Sequence, residues 1–210
     1  MISMKIYTFT LGTFAVNNYL VHAADSSHAI LFDAAEDPDS ILEKIDELGL
    51  KLKFLVNTHG HGDHIAGNKK IIAETGAQLL IHSRDQSYLT DPYLNLSAYF
   101  GEEITSPPPD RLLKENDKII LDEIEFRVLH TPGHTPGHIT LVYDHHAFVG
   151  DVIFQGSIGR TDLPRASGQQ LIQSIRQKIY TLPHQTILYP GHGPLTTVQA
   201  EKESNPYVSD

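Results

Sequence analysis

The run His59-Gly60-His61-Gly62-Asp63-His64 sets three imidazoles and a carboxylate within six residues, spaced by glycines that let the backbone turn tightly enough for the side chains to converge. Neutral imidazole and carboxylate are ligands for zinc, iron or manganese, so the chemistry this spacing points to is metal binding. One such loop does not complete the coordination of two ions, and more donors follow downstream. His130-Thr131-Pro132-Gly133-His134-Thr135-Pro136-Gly137-His138 offers three imidazoles on a backbone held open by prolines and glycines. Asp151 follows Gly150 at the end of an apolar run, and His192 stands between two glycines after Tyr189 and Pro190. His134 and His138 both follow Pro-Gly, and spacing alone leaves them in competition.

Such residues need strand ends to carry them. Apolar, β-rich runs occupy residues 5–10, 18–22, 29–32, 54–56, 78–82, 124–130, 139–143 and 147–149. Helical spacing falls between them: Ile41, Leu42, Ile45 and Leu48 share one face over residues 39–48, opened by Pro38 and closed by Gly49. Leu171, Ile172, Ile175 and Ile179 do the same over 169–180, with Gly168 before the start, and a helix-like run begins at Ile65. Residues 91–110, with Pro107-Pro108-Pro109, read as a long ordered loop or short helix leading to a polyproline link, placed as a lid. A faint repeat is also legible. His28-Ala29-Ile30-Leu31-Phe32-Asp33 resembles His146-Ala147-Phe148-Val149-Gly150-Asp151, and each is followed by an amphipathic helix and a β-rich run ending in histidine, His59 or His192. Two such halves predict two sheets packed face to face, helices outside, with polar loops converging at one edge.

Composition narrows the chemistry. With no cysteine there is no thiolate ligand, no cysteine nucleophile and no disulfide framework, so any metal is held by nitrogen and oxygen. A formal charge of −10 opposes the phosphate attraction behind non-specific nucleic-acid binding. No stretch approaches the roughly 18 consecutive apolar residues of a membrane span, and no secretory signal is evident at Met1-Ile2-Ser3-Met4-Lys5. The expectation is one domain over residues 1–210, cytoplasmic, acting on a small molecule, without nucleic-acid or membrane partners; a homodimer is compatible with the sequence.

The ordered set His59, His61, Asp63, His64, His134, Asp151 and His192 resembles the metallo-β-lactamase superfamily over nearly the whole chain. Thr131-Pro132-Gly133-His134-Thr135-Pro136-Gly137-His138, Gly150-Asp151, Gly159-Arg160-Thr161-Asp162 and Pro190-Gly191-His192-Gly193-Pro194 look like the short glyoxalase II type hydrolases. The resemblance implies an α/β fold, the four-layer αβ/βα sandwich. It also implies two divalent ions, zinc first with iron or manganese as alternatives: His59, His61 and His134 on one, Asp63, His64 and His192 on the other, and Asp151 between them. Asp33 would support the loop from behind. The family ligand precedes threonine, which favours His134 over His138; His138 is expected to open the next strand and point away. His130 is expected to support rather than ligate, and His22, His28, His82, His145, His146 and His184 to be surface or satisfied core residues.

Two ions about 3.5 to 4 Å apart lower the pKa of a shared water toward neutrality. The implied reaction is hydrolysis of an acyl-thioester of the S-lactoylglutathione kind by a metal-bound hydroxide, with Asp63 orienting the hydroxide and passing its proton to the leaving group. Arg160, in the Gly-Arg-Thr-Asp motif that lies near the thiol cofactor in relatives, is the candidate for gripping a substrate carboxylate, with Arg165 and residues 91–110 in support. Eighteen residues follow His192, short of the helical extension with which glyoxalase II enzymes recognise glutathione, so the carrier thiol stays open. Alternatives are a mononuclear iron persulfide dioxygenase, which resembles the chain in the same motifs, and a lactonase of the same fold.

Overall fold

The computed structural model describes residues 3–208. Its apolar runs form two six-stranded sheets. The first runs in the order β1 (Met4–Leu11), β2 (Val16–Ala23), β3 (His28–Phe32), β4 (Lys51–Val56), β5 (Gln78–His82), β6 (Arg111–Leu113). Strands β1 to β3 are antiparallel neighbours, and β3 to β6 are parallel. The second sheet contains β7 (Lys118–Leu121), β8 (Ile124–His130), β9 (Ile139–Tyr143) and β10 (His146–Gly150). A small hairpin, β11 (Ile153–Phe154) and β12 (Ser157–Ile158), then leaves the sheet, and β13 (Ile187–Pro190) and β14 (Thr196–Thr197) complete it in the order β14-β13-β10-β9-β8-β7.

The inner faces meet through aromatic side chains. Phe32 of the first sheet lies 4.3 Å from Phe148 and 5.3 Å from Phe126 of the second, ring centre to ring centre, and Tyr19 meets Phe148 and Tyr189 edge-on. Each fully buried ring contributes roughly 1.5–3 kcal/mol, so this aromatic layer is what joins the sheets. Helices α1 (Asp39–Glu47) and α3 (Asn68–Thr75) bury Ile41, Ile45 and Ile71 on the outside of the first sheet, after the short α2 (Gly62–Ile65). On the outside of the second, α4 (Gly168–Ser174) and α5 (Val198–Ser204) bury Leu171 and Val198 against Ala147, Val149 and Leu188. Helix, sheet, sheet, helix is the αβ/βα order expected from the two half-patterns. The repeat is visible as matching crossovers: β3-α1-β4 and β10-α4-β13 each join parallel neighbouring strands.

Some elements differ from the sequence expectation. The helical pattern at 169–180 is α-helical only to Ser174 and then widens into a π turn, Ile175–Ile179; Ser167, not Gly168, is the cap, its side chain accepting from Gln170 N. The run from Ile65 is broken at Gly67, whose N donates to Ala34 O at 2.8 Å outside the helix, so α2 and α3 are separate. The triproline leads straight into β6, which pairs parallel to β5. Among the described residues, no helix is long and apolar enough to cross a membrane.

His82 and His130 close one side of the sandwich as a stacked pair, 4.1 Å between ring centres. Burial, reinforced by the facing His130, pushes the His82 imidazole down to about 4 from its ordinary 6.5. The unfolded chain therefore takes up a proton near pH 6.5 that the folded chain resists until about 4, so this contribution is full above pH 6.5 and is lost as pH falls toward 4. His82→Phe, which keeps a stacked ring but cannot titrate, is expected to shrink the drop in urea midpoint across that window. Superimposable pH profiles for the two proteins would refute this.

Candidate metal centre

All the donors singled out in the sequence lie at the carboxyl ends of strands, at one edge of the sandwich. Asp33 follows β3, His59 to His64 follow β4, Asp151 follows β10 and His192 follows β13. In a sheet of parallel strands that edge is where side chains from distant segments meet. Three groups of donor atoms fall within 4.8 Å of one another: His59, His61 and His134; His59, His64 and Asp151; Asp63, His64 and His192. His61 Nδ1 is 2.9 Å from His134 Nε2, and His64 Nε2 is 3.3 Å from His192 Nε2. These spacings approach the roughly 3.3 Å edge of a tetrahedron with nitrogen arms of 2.0–2.1 Å. Asp151 sits between the groups, Oδ1 3.5 Å from His64 Nε2, Oδ2 3.5 Å from both His134 Nε2 and His192 Nε2.

The outward ring nitrogens of His59, His64, His134 and His192 are spoken for. His64 Nδ1 donates to Asp33 Oδ2 at 2.9 Å, His134 Nδ1 to Arg160 O at 2.9 Å, and His192 Nδ1 to Phe14 O at 3.0 Å. Thr58 gives its hydroxyl proton to Asp33 Oδ2, which leaves its oxygen to accept from His59 Nδ1 at 3.2 Å. Each bond turns Nε2 inward, the usual outer support of a metal-binding imidazole. Inward, His59 Nε2 and Asp151 Oδ1 are buried without a hydrogen-bond partner. Buried polar atoms are almost always paired, so two orphans facing one pocket among convergent imidazoles fit a cation. Burial and the neighbouring rings hold His59 and His61 well below the ordinary imidazole range, with Arg160 adding to this at His61; burial lowers His134 as well, against the pull of Asp151. Burial also works against a charged His64, but Asp63, Asp151 and Asp33 outweigh it and raise the ring to about 10. For Asp63 burial favours the neutral acid, yet His64 and His192 hold it ionised, below the usual carboxylate range.

Close backbone approach makes this packing possible. A side chain at Gly191 would collide with Asp151 Oδ1 and crowd His64, and one at Gly150, whose φ is +48°, would press on Thr58 Oγ1 at 2.5 Å and His138 Nε2 at 2.8 Å. His138 itself does not point away, contrary to expectation. Strand β9 begins only at Ile139, and the His138 ring is buried and stacked 5.0 Å from His59, its Nε2 accepting from Asp151 N at 3.0 Å. It positions the aspartate and has no nitrogen to spare, since Nδ1 meets Thr131 Oγ1. His130 is occupied by Pro136 O. Arg160 reaches the rim, where its carbonyl anchors His134 while its exposed guanidinium forms a two-pronged pair with Asp162 at 2.9 Å.

Two supporting residues escaped sequence reading. Asp85, fully buried just beyond β5, accepts from Gly60 N at 3.2 Å and Thr135 Oγ1 at 2.6 Å through one oxygen, and from Gly137 N at 2.6 Å through the other. It thus ties the first histidine loop to the second. Burial pushes its carboxyl up to about 6 in spite of these three bonds. Asn17 donates to Pro190 O at 3.1 Å and Gly193 O at 2.8 Å, holding the turn that presents His192. The strand-end rule that located the ligands was the available sequence clue to Asp85.

Residues 11–192 match the family model of the metallo-beta-lactamase superfamily. The chain belongs to this superfamily. Other metallo-β-lactamase relatives narrow the comparison. The chain is 38% identical over 190 residues to hydroxyacylglutathione hydrolase GloC of Haemophilus influenzae, covering 88% of this chain and 89% of that one. It superposes on the BLEG-1 B3 metallo-beta-lactamase with a TM-score of 0.94 at 34% identity, covering 98% and 100% of the two chains. It also resembles TTHA1623, a structure in a di-iron-bound form, with a TM-score of 0.85 at 32% identity over 96% and 99%. The sandwich is therefore the metallo-β-lactamase fold, and its convergent histidines and aspartates are a metal-binding group of that superfamily.

Proposed function

We propose that the chain is a dinuclear metallohydrolase that cleaves a small acyl-thioester, a hydroxyacyl conjugate of glutathione or of a similar acidic thiol. The observation that carries this is Asp151, one carboxylate with an oxygen 3.5 Å from a histidine of each triad, His64 and His134. In this reading His59, His61 and His134 hold one divalent ion, Asp63, His64 and His192 hold the other, and Asp151 bridges them. Zinc is the first choice, with iron and manganese as alternatives; TTHA1623 is a similar protein with two irons. Such a pair supplies a water acidic near neutrality and polarises a carbonyl.

The chain's own groups do the rest. Asp63, whose side chain is 22% exposed while that of His64 is fully enclosed, is the ionised acid open to the cleft. Its carboxylate orients the attacking water, takes its proton and delivers it to the leaving sulfur. A C–O bond forms, the C–S bond breaks, and a carboxylic acid and a thiol leave. Arg160 is tied to the centre through His134, and its guanidinium pairs with Asp162 in full contact with solvent, so it exchanges readily for a substrate carboxylate. The name of the Haemophilus influenzae relative supports the hydroxyacyl-glutathione substrate.

The test is metal analysis of the purified protein alongside a panel of thioesters, lactones and glutathione persulfide. Two ions per chain, thioester cleavage and loss of activity on chelation are expected. One iron per chain with oxygen uptake on the persulfide and intact thioesters would replace this reading with the dioxygenase one; cleavage of lactones alone would move it to a lactonase.

A further inference from the structure

The two ends of the centre face different chemistry. At the His134 end stands Arg160, whose carbonyl accepts from His134 Nδ1 at 2.9 Å while its guanidinium lies exposed at the rim. At the His192 end the neighbours are aromatic. The Phe154 ring stands 6.1 Å from that of His192, and the carbonyl of Phe14 receives the His192 Nδ1 proton. Phe14 in turn meets Phe100 edge-on at 5.0 Å. Both rings are open to solvent, 47% and 63% exposed.

Both rings stand on fastened turns. Residues 12–15 make a tight turn closed by Ala15 N donating to Gly12 O at 3.0 Å, and Thr13 fastens it through two bonds to Glu36 Oε2 at 3.3 Å. Phe100 ends a short 3-10 turn, Ser97–Phe100, entered through Leu96 at φ +72°. A leucine in the left-handed region is strained and persists only where its surroundings impose it. Here they belong to the ligand loop. Asn95 O accepts from Gly62 N at 2.7 Å, and the buried Asn95 amide spans Tyr88 O at 3.0 Å and Ile104 O at 2.9 Å while its oxygen accepts from Ser97 N. The backbone of Phe14 is thus bonded to His192 and the turn that carries Phe100 to the loop bearing His61 and Asp63, and the two rings meet as an arch.

Rigidly mounted aromatic carbon left open to water beside a reactive centre is a platform for an apolar part of whatever binds there. We infer that Phe14, Phe100 and Phe154 receive the acyl arm of the substrate, so that the chain takes thioesters with a bulky apolar acyl group, phenyl or medium alkyl, in preference to lactoyl. The acidic thiol then lies toward Arg160. This rests on the hydrolase reading and specifies its substrate class.

S-mandeloylglutathione and S-lactoylglutathione, which differ by phenyl in place of methyl, provide the comparison. The kcat/KM ratio of mandeloyl to lactoyl is expected to be about tenfold or more, the size of discrimination an apolar pocket gives. It should fall close to one in Phe14→Ala and Phe100→Ala, and be largely kept in Phe100→Leu, with metal content in each variant reporting an intact fold. A ratio near one in the unaltered protein overturns the inference, as does a high ratio that both alanine variants retain at full metal content. If no thioester is cleaved, the hydrolase reading itself fails and the arch assignment falls with it.

Discussion

Asp63→Ala is expected to lower kcat for thioester hydrolysis by about 10²- to 10⁴-fold, the contribution of a positioned acid–base group. The carboxylate is ionised where it stands, 3.4 Å from His192 Nε2 and 3.7 Å from His64 Nε2, and it is the one acid of the centre with appreciable access to the cleft. Asp63→Asn keeps the shape and one oxygen donor but cannot accept a proton, so it separates holding an ion from moving a proton. Metal content measured beside turnover decides which function was lost. Turnover at the unaltered rate in Asp63→Ala would remove this residue from the mechanism.

The second large effect is structural in origin and appears at the centre. Asp85→Ala leaves the buried Gly60 N, Gly137 N and Thr135 hydroxyl without an acceptor. At about 1 kcal/mol or more for each stranded donor, the loss is at least about 3 kcal/mol, and for a chain of this size the melting midpoint drops by roughly 6–12 °C. Because those donors belong to the two loops that carry His59, His61 and His134, metal affinity should weaken about 10- to 100-fold, as it does when outer support of a ligand is removed. Asp85→Asn should fall between, since its amide turns a donor toward one of the same donors. Thermal scans and competitive chelator titration measure both quantities; an unchanged midpoint together with unchanged affinity would show that Asp85 is a bystander.

Much of the centre was legible because glycine, histidine and aspartate follow apolar runs, and a strand's end is visible in one dimension. Asp33, His59, Asp151 and His192 are all of this kind. Asp85 is equally a strand-end acid, yet Ser83-Arg84-Asp85-Gln86 reads as the polar opening of a surface turn, and its partners, residues 60, 135 and 137, are neighbours only in space. His138 was misread for a different reason. The direction of a side chain just before a strand depends on contacts distant in sequence: Ile139 N bonds to Thr58 O, and Asp151 N bonds to the His138 ring. The short strands β6, β7 and β14 hold two to four residues each, too few for a period to declare itself. Phe14 and Phe100 carry no pattern at all; only the turns that mount them place one beside the other.

Each of the three donor groups takes members from both halves of the chain. His61 faces His134 across 73 residues of sequence, and His64 faces His192 across 128. Occupied as proposed, the ions would act as rivets through one rim of the sandwich, closing long loops that the aromatic layer alone leaves fastened only from within. Uptake of metal would then be coupled to folding, and the stability of the chain would track the free metal concentration around it as well as its own sequence.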